Sequence, residues 1–95
     1  MAVKIFIKRS IPPEKSGALM PLFQKLRSLA MKQPGYISGE TLQSIDMPGE
    51  VMVISTWQTV EEWQRWLTHK ERLKIQSQID MMLGIKAEYK VYQYG

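Results

Sequence analysis

The chain has 95 residues, a formal net charge of +4 and no cysteine, which excludes disulfide bonds, thiolate nucleophiles and cysteine-ligated zinc sites. A chain of this length forms one domain, residues 1–95, and buries about 60–65% of its unfolded surface. No apolar stretch approaches the roughly 20 residues of a membrane span, so no membrane partner is expected. The missing cysteines, and lysines that interrupt the N-terminal apolar residues, indicate a cytoplasmic protein without a signal peptide.

The first third of the chain predicts a strand followed by a helix. The segment VKIFIK, which starts at Val3, alternates in hydropathy with period two and predicts a strand with one apolar face. Ile11-Pro12-Pro13-Glu14 ends the strand and suits a helix start, because proline is tolerated in a first turn and an acid is favoured there. Apolar residues then recur at helical spacing from Leu19 to Ala30, and Pro21 is expected to kink this helix or mark its true beginning.

The middle of the chain predicts a hairpin of two strands. Tyr36 to Ile45 reads as the second strand, with Gly39 as the candidate position of a bulge. Asp46 to Glu50 supplies a proline followed by a glycine for the hairpin loop. The third strand runs from Val51 to Gln58 and begins with β-branched and apolar residues, as a buried strand should.

A capping box marks the start of the second helix at Val60. The Thr59 hydroxyl can accept from the Glu62 amide, and the Glu62 side chain can reach back to the Thr59 amide. The apolar stripe of this helix loses phase near Thr68-His69-Lys70, where a break or bend is expected. A new stripe follows and ends near Met82.

The last predicted strand, Ile85 to Tyr94, completes the order β-α-β-β-α-β. This order predicts an α+β, ferredoxin-like fold: a four-stranded antiparallel sheet with both helices on one face. The other sheet face has nothing in the chain to cover it, and Phe6, Tyr92 and Trp57 or its neighbours are candidates to lie there. Such an open aromatic face is a site for a partner or a ligand.

Few side chains indicate acid–base, metal or nucleic-acid chemistry. His69 is the single histidine, and its charged neighbours indicate a solvated residue at a helix junction, so no metal site is expected. Glu40 and Glu88 lie in strands, where either could face a pocket, although contact with solvent or a lysine is the simpler account. The strand Ile5 to Lys8 is similar to the base-stacking strand of an RNA recognition motif. The third strand lacks the basic-glycine-aromatic pattern of that motif, so no nucleic-acid partner is expected.

Several segments, in their order along the chain, resemble the antibiotic biosynthesis monooxygenase family. They are Pro34-Gly35-Tyr36, the hairpin, Ile54-Ser55-Thr56-Trp57, Trp66-Leu67 and the region of Arg72. The resemblance covers nearly the whole chain. It implies a dimeric α+β barrel, in which two ferredoxin-like sheets pack face to face, with a pocket between sheet and helices. The implied homodimer would cover the open sheet face.

The family contains haem-degrading enzymes, an isomerase of a signalling molecule, and cofactor-free monooxygenases that oxidise quinols and anthrones. The haem-degrading branch has a tryptophan that corresponds to Trp66. Its histidine ligand would fall near Gln76 and its asparagine near Lys8 or Arg9, so two of its three functional residues are missing. Haem degradation is therefore not expected.

The resemblance implies a small cofactor-independent monooxygenase that acts on an aromatic, quinol- or anthrone-like substrate. The alternative is a non-catalytic dimeric ligand-binding or stress-related protein with the same fold. An oxygenase of this kind binds an electron-rich phenolate or enolate, favours its deprotonated form and excludes water. The candidate substrate-binding residues are Lys8, Arg9 and Arg72 as cations at the pocket mouth, with Trp66 and Phe6 as the apolar wall. No catalytic residue and no cofactor is assigned.

Two kinds of pocket would separate these readings. A polar, enclosed pocket would favour the oxygenase. A cavity filled by methionine and tryptophan side chains would favour the binding protein.

Overall fold

A computed structural model describes residues 1–95 and confirms the ferredoxin-like order, with the second helical region divided into two helices. The elements are β1 (Val3–Ser10), α1 (Pro13–Met31), β2 (Tyr36–Gln43), β3 (Glu50–Trp57), α2 (Val60–Leu67), α3 (Lys70–Leu83) and β4 (Glu88–Gln93). The four strands form one antiparallel sheet in the order β2-β3-β1-β4. None of the three helices combines the length and the hydropathy that crossing a lipid bilayer requires.

The side chains of β1 alternate between two faces of the sheet. Val3, Ile5 and Arg9 are buried on the inner face, beneath the helices. Phe6 and Lys8 lie on the opposite, outer face, which no helix covers. Arg9 is thus buried at a position where the alternating hydropathy of the strand predicts an apolar residue.

The strand register decides which aromatic residues lie on the outer face. Trp57 pairs with Val3 and faces inward, where it is 1% exposed, whereas its neighbour Thr56 faces outward. Phe6 and Tyr92 do share the outer face, with ring centroids 5.2 Å apart in an edge-to-face arrangement. Phe6 and Tyr92 therefore lie on the open face as expected, whereas Trp57 belongs to the core.

Local sequence signals set the helix boundaries. The helix α1 begins at Pro13, so Pro21 lies inside it and does not mark its start. The Thr59 hydroxyl accepts from the Glu62 amide at 3.2 Å, which confirms this half of the capping box. The Glu62 carboxylate accepts from the Thr59 hydroxyl at 3.0 Å rather than from the Thr59 amide. The break between α2 and α3 falls at His69, whose Nδ1 caps α3.

Two apolar clusters join the helices to the sheet. The larger one consists of Val3, Ile5, Trp57, Trp63 and Trp66. The second joins α1 to α3 and consists of Leu19, Ile75 and Ile79.

Strand β2 carries a bulge at Ile37, between Tyr36 and Ser38, rather than at Gly39. Gly39 pairs regularly with Ser55, and a Cβ atom there would meet the Tyr36 hydroxyl. The glycine therefore makes room for the Tyr36 side chain on the inner face.

Candidate functional site

A cavity of about 360 Å³ lies between the inner face of the sheet and the helices. Its apolar lining includes Phe23 from α1, Trp57 from β3, and Trp63 and Trp66 from α2. The three tryptophans are each at most 5% exposed, so this part of the wall belongs to the packed core. The volume lies within the range of roughly 300–1,000 Å³ that small-molecule sites occupy.

Arg9 reaches this cavity from β1 and is held by neutral groups. Its Nη2 donates to Gln76 Oε1 at 2.9 Å, and Gln76 Nε2 donates in turn to Asp80 Oδ1 at 2.9 Å. The Asp80 carboxylate therefore makes no direct hydrogen bond to Arg9, although its negative charge raises the pKa of Arg9. The guanidinium carbon lies 5.0 Å from the centre of the Phe23 ring, a cation–π distance.

Arg72 lines the same cavity from α3 and also has neutral partners. Its Nη1 donates to the Leu67 carbonyl at 3.1 Å and its Nη2 to the Tyr89 hydroxyl at 2.5 Å. The guanidinium carbon is 5.4 Å from the Tyr89 ring centre and 6.0 Å from that of Trp63. Aromatic rings and a backbone carbonyl thus fix its position without neutralising its charge.

Neither buried guanidinium forms a salt bridge; the one salt bridge in the structure joins Lys8 to Glu50 at 3.4 Å. Burial lowers the pKa of Arg9 below its ordinary value; Tyr89 opposes this fall, and the positive charge of Arg72 adds to it. The Arg9 Nε is also buried without a hydrogen-bond acceptor. Such an orphaned donor costs about 1–3 kcal/mol, which an anion bound here would offset.

Three of the five residues expected to bind substrate come together here. Arg9, Arg72 and Trp66 line the cavity, and each is buried. Phe6 and Lys8 lie on the outer face and do not line it, because adjacent residues of a strand point to opposite faces. Lys8 instead borders a separate hollow of about 200 Å³ beside β4. The expectation that Phe6 and Lys8 join the pocket is therefore corrected.

Sequence reasoning missed Gln76 as a member of the site. Arg72, Gln76 and Asp80 recur every four residues, so they form a polar stripe along α3. Two of the three are buried, next to the apolar residues Ile75 and Ile79. The sequence did contain a signal for this. A polar stripe that runs beside an apolar stripe on the same helix indicates that polar side chains are buried where the helix packs on the sheet. No group of three or more His, Cys, Asp or Glu side chains in the structure could hold a metal ion.

The family model described as antibiotic biosynthesis monooxygenase matches residues 2–78 of this chain. The chain belongs to this family. The matched segment of the antibiotic biosynthesis monooxygenase domain contains α1, α2 and the first three strands, and it includes Arg9, Trp66, Arg72 and Gln76.

Solved structures share the whole fold at low sequence identity. A conserved protein from Methanosarcina mazei Go1 is similar with a TM-score of 0.91 at 19% identity, over 100% of this chain and 94% of that chain. SnoaB, a cofactor-independent oxygenase from Streptomyces nogalater, is similar with a TM-score of 0.75 at 16% identity, over 99% of this chain and 93% of that chain. No curated protein sequence matches the chain.

Proposed function

We propose that this protein is a small cofactor-independent monooxygenase that acts on an aromatic, quinol- or anthrone-like substrate bound in the cavity. The observation that carries this proposal is the pair of buried guanidiniums, Arg9 and Arg72, which have no carboxylate partner and lie among tryptophan walls. Family membership and the fold shared with an oxygenase support the reaction class.

In this proposal the protein prepares the substrate, and the substrate reacts with oxygen. The positive charges of Arg9 and Arg72 favour the ionised form of a bound phenol or enol, since a nearby cation lowers the pKa of an acid. Such an electron-rich anion can pass an electron to molecular oxygen. For an anthrone, the ring methylene becomes a carbonyl that keeps one oxygen atom, and the other oxygen leaves as water. Trp66 is buried in the cavity wall and contributes apolar surface that disfavours water next to the substrate.

The alternative, a non-catalytic dimeric ligand-binding or stress-related protein, is favoured by one observation. The buried residues that line the cavity include neither a carboxylate nor a histidine: they are Arg9, Ser55, Trp57, Trp63, Trp66, Arg72 and Gln76. Glu40 is the one carboxylate that lines the cavity and it is exposed, so none of the buried lining residues is a general base for the substrate. Such a protein would use the same cavity and arginines for binding without turnover.

Oxygen uptake separates the two functions. Purified, metal-free protein is given a panel of hydroquinones and anthrones in an oxygen electrode, together with Trp66→Ala and Arg72→Gln. We expect uptake above the uncatalysed rate and a fall of about 100-fold in Arg72→Gln, as for loss of one charge-stabilising donor. Arg65→Gln, which changes an exposed arginine of α2, should keep the wild-type rate. Uptake no faster than in buffer across the panel would favour the binding protein.

We also propose a homodimer through the outer sheet face. The chain exposes 6482 Å², whereas a monomeric protein of 11.1 kDa exposes about 5,700 Å². The excess is close to the roughly 800 Å² that each partner buries in a standard interface. Phe6, Ile54 and Tyr92 contribute apolar and aromatic surface to this face. Light scattering at micromolar concentration should give twice the mass of the chain, and the mass of a single chain would refute the dimer.

A further inference from the structure

The mouth of the cavity lies between α1 and the edge strand β2. All the lining residues that are exposed to solvent belong to these two elements: they are Met20, Gln24, Arg27, Glu40, Thr41 and Gln43. A long hydrogen bond joins the two elements here, since Arg27 Nη2 donates to the Gly39 carbonyl at 3.5 Å. A molecule that enters the cavity from solvent therefore passes between α1 and β2.

Met20 is the one apolar residue among these exposed lining residues. Its side chain is 50% exposed, although methionine is more often buried. Gln24 and Arg27 follow it at i+4 and i+7, so the three share one stripe of α1. Phe23, at i+3, lines the cavity next to this stripe. The Met20 thioether thus lies where solvent meets the apolar interior of the cavity.

A thioether at such a position can be oxidised without any change elsewhere in the chain. Hydrogen peroxide transfers one oxygen atom to the sulfur, the O–O bond breaks, the sulfur loses two electrons, and the second oxygen leaves as water. The product, methionine sulfoxide, is polar where the thioether was apolar, and reductases convert it back. The Gln24 side-chain amide, one helical turn away, carries donors that suit the new sulfoxide oxygen.

We propose that Met20 is a reversible oxidation site, at which hydrogen peroxide weakens the binding of aromatic molecules in the cavity. The sulfoxide oxygen is hydrated, and it must give up water when an apolar ring packs beside it. Oxidation therefore penalises an aromatic ligand at the mouth. This site needs only an aromatic molecule in the cavity and does not depend on the reaction proposed there.

The other methionines of the chain supply a matched control. Met31 lies on the same helix, is 58% exposed and does not line the cavity. Peroxide should therefore oxidise Met31 as readily as Met20, because both thioethers are accessible. Only the change at Met20 should alter the binding of a ligand.

Calorimetric titration with 2-naphthol under nitrogen, before and after peroxide treatment, tests the proposal. The quantity compared is the ratio of the Kd after treatment to the Kd before it. We expect this ratio to be about ten in wild type and in Met31→Leu, and about one in Met20→Leu. Methionine sulfoxide reductases for both sulfoxide epimers should restore binding to treated wild type. Mass spectrometry of peptides shows which methionines have been oxidised.

A ratio near one in wild type with Met20 oxidised would overturn the proposal, as would an unmodified Met20 beside an oxidised Met31. An equal ratio in Met20→Leu would assign the effect to another methionine and overturn the proposal too. So would the absence of 2-naphthol binding to untreated wild type.

A second variant keeps the test independent of the leucine variant. Circular dichroism checks that each variant folds. Met20→Gln places a polar side chain of similar length at the mouth, so it should bind 2-naphthol about tenfold more weakly than wild type without any peroxide. Wild-type affinity in folded Met20→Gln would contradict the proposed effect of a polar group there. A protein that takes up no oxygen would refute the proposed monooxygenase and leave this inference standing.

Discussion

Replacing Arg9 with methionine should leave the protein as stable as the wild type or more stable, although it removes a buried side chain. The change removes a buried charge without a carboxylate partner and an orphaned Nε donor, and relief of the donor alone is worth about 1–3 kcal/mol. It also loses the bond to Gln76, about 1.5–3 kcal/mol, and the contact with Phe23, about 0.5–2 kcal/mol. Removing the charge offsets these losses, because desolvating an ion costs several kcal/mol. We expect a net change between zero and about 2 kcal/mol of stabilisation.

Urea unfolding at one fixed protein concentration measures this change, since a dimer would make the midpoint depend on concentration. For a chain of this size, 1 kcal/mol corresponds to about 4–8 °C in Tm. Arg65→Met is the control, because an exposed substitution should stay within about 0.5 kcal/mol of wild type. A loss of more than about 3 kcal/mol in Arg9→Met would show that Arg9 stabilises the fold, as breaking a buried ion pair does. That result would contradict the interpretation that the Arg9 charge serves to bind an anionic ligand rather than to stabilise the fold.

Three further changes test the fold and the assembly. Thr59→Ala should cost about 1 kcal/mol in thermal unfolding through loss of the α2 cap, and Thr59→Ser should restore it; a neutral alanine variant would contradict this role of the hydroxyl. Gly35→Ala should cost about 1–3 kcal/mol, because Gly35 has a φ of +87° and the new Cβ would overlap the Glu62 carboxylate; an unchanged Tm would show that the turn adapts. Ile54→Lys should give a folded monomer by light scattering, because it places a charge in the outer sheet face, whereas an intact dimer would place the interface elsewhere.

The helix starts and the hairpin could be predicted because neighbouring residues determine them. The box of Thr59 and Glu62 caps α2 at the expected residue, and the loop before Glu50 joins two strands as expected. The start of β4 could not be predicted in this way. Ile85 continues the apolar alternation, but pairing with β1 begins only at Glu88, since the chain must first cross from the cap of α3 to the sheet edge.

The site was only partly predictable, because residue type alone does not say which face of an element meets the cavity. Arg9 and Lys8 are both basic and adjacent, yet only Arg9 faces the helices. The pairing of Arg9 with Gln76 spans 67 residues of sequence, so it depends on how α3 packs over β1. Local patterns carry no information about that packing. The stripe of Arg72 and Gln76 shows that α3 has a polar face, but it does not show which residues of the sheet that face contacts.

The central claim is that the cavity holds an aromatic substrate while molecular oxygen oxidises it. The most direct measurement follows isotopically labelled oxygen into the product of an anthrone turned over by metal-free protein. We expect one labelled oxygen atom in each quinone formed, with the other recovered in water, and loss of both signals in Arg72→Gln. Hydrogen peroxide in place of labelled product, or equal labelling without protein, would contradict the claim.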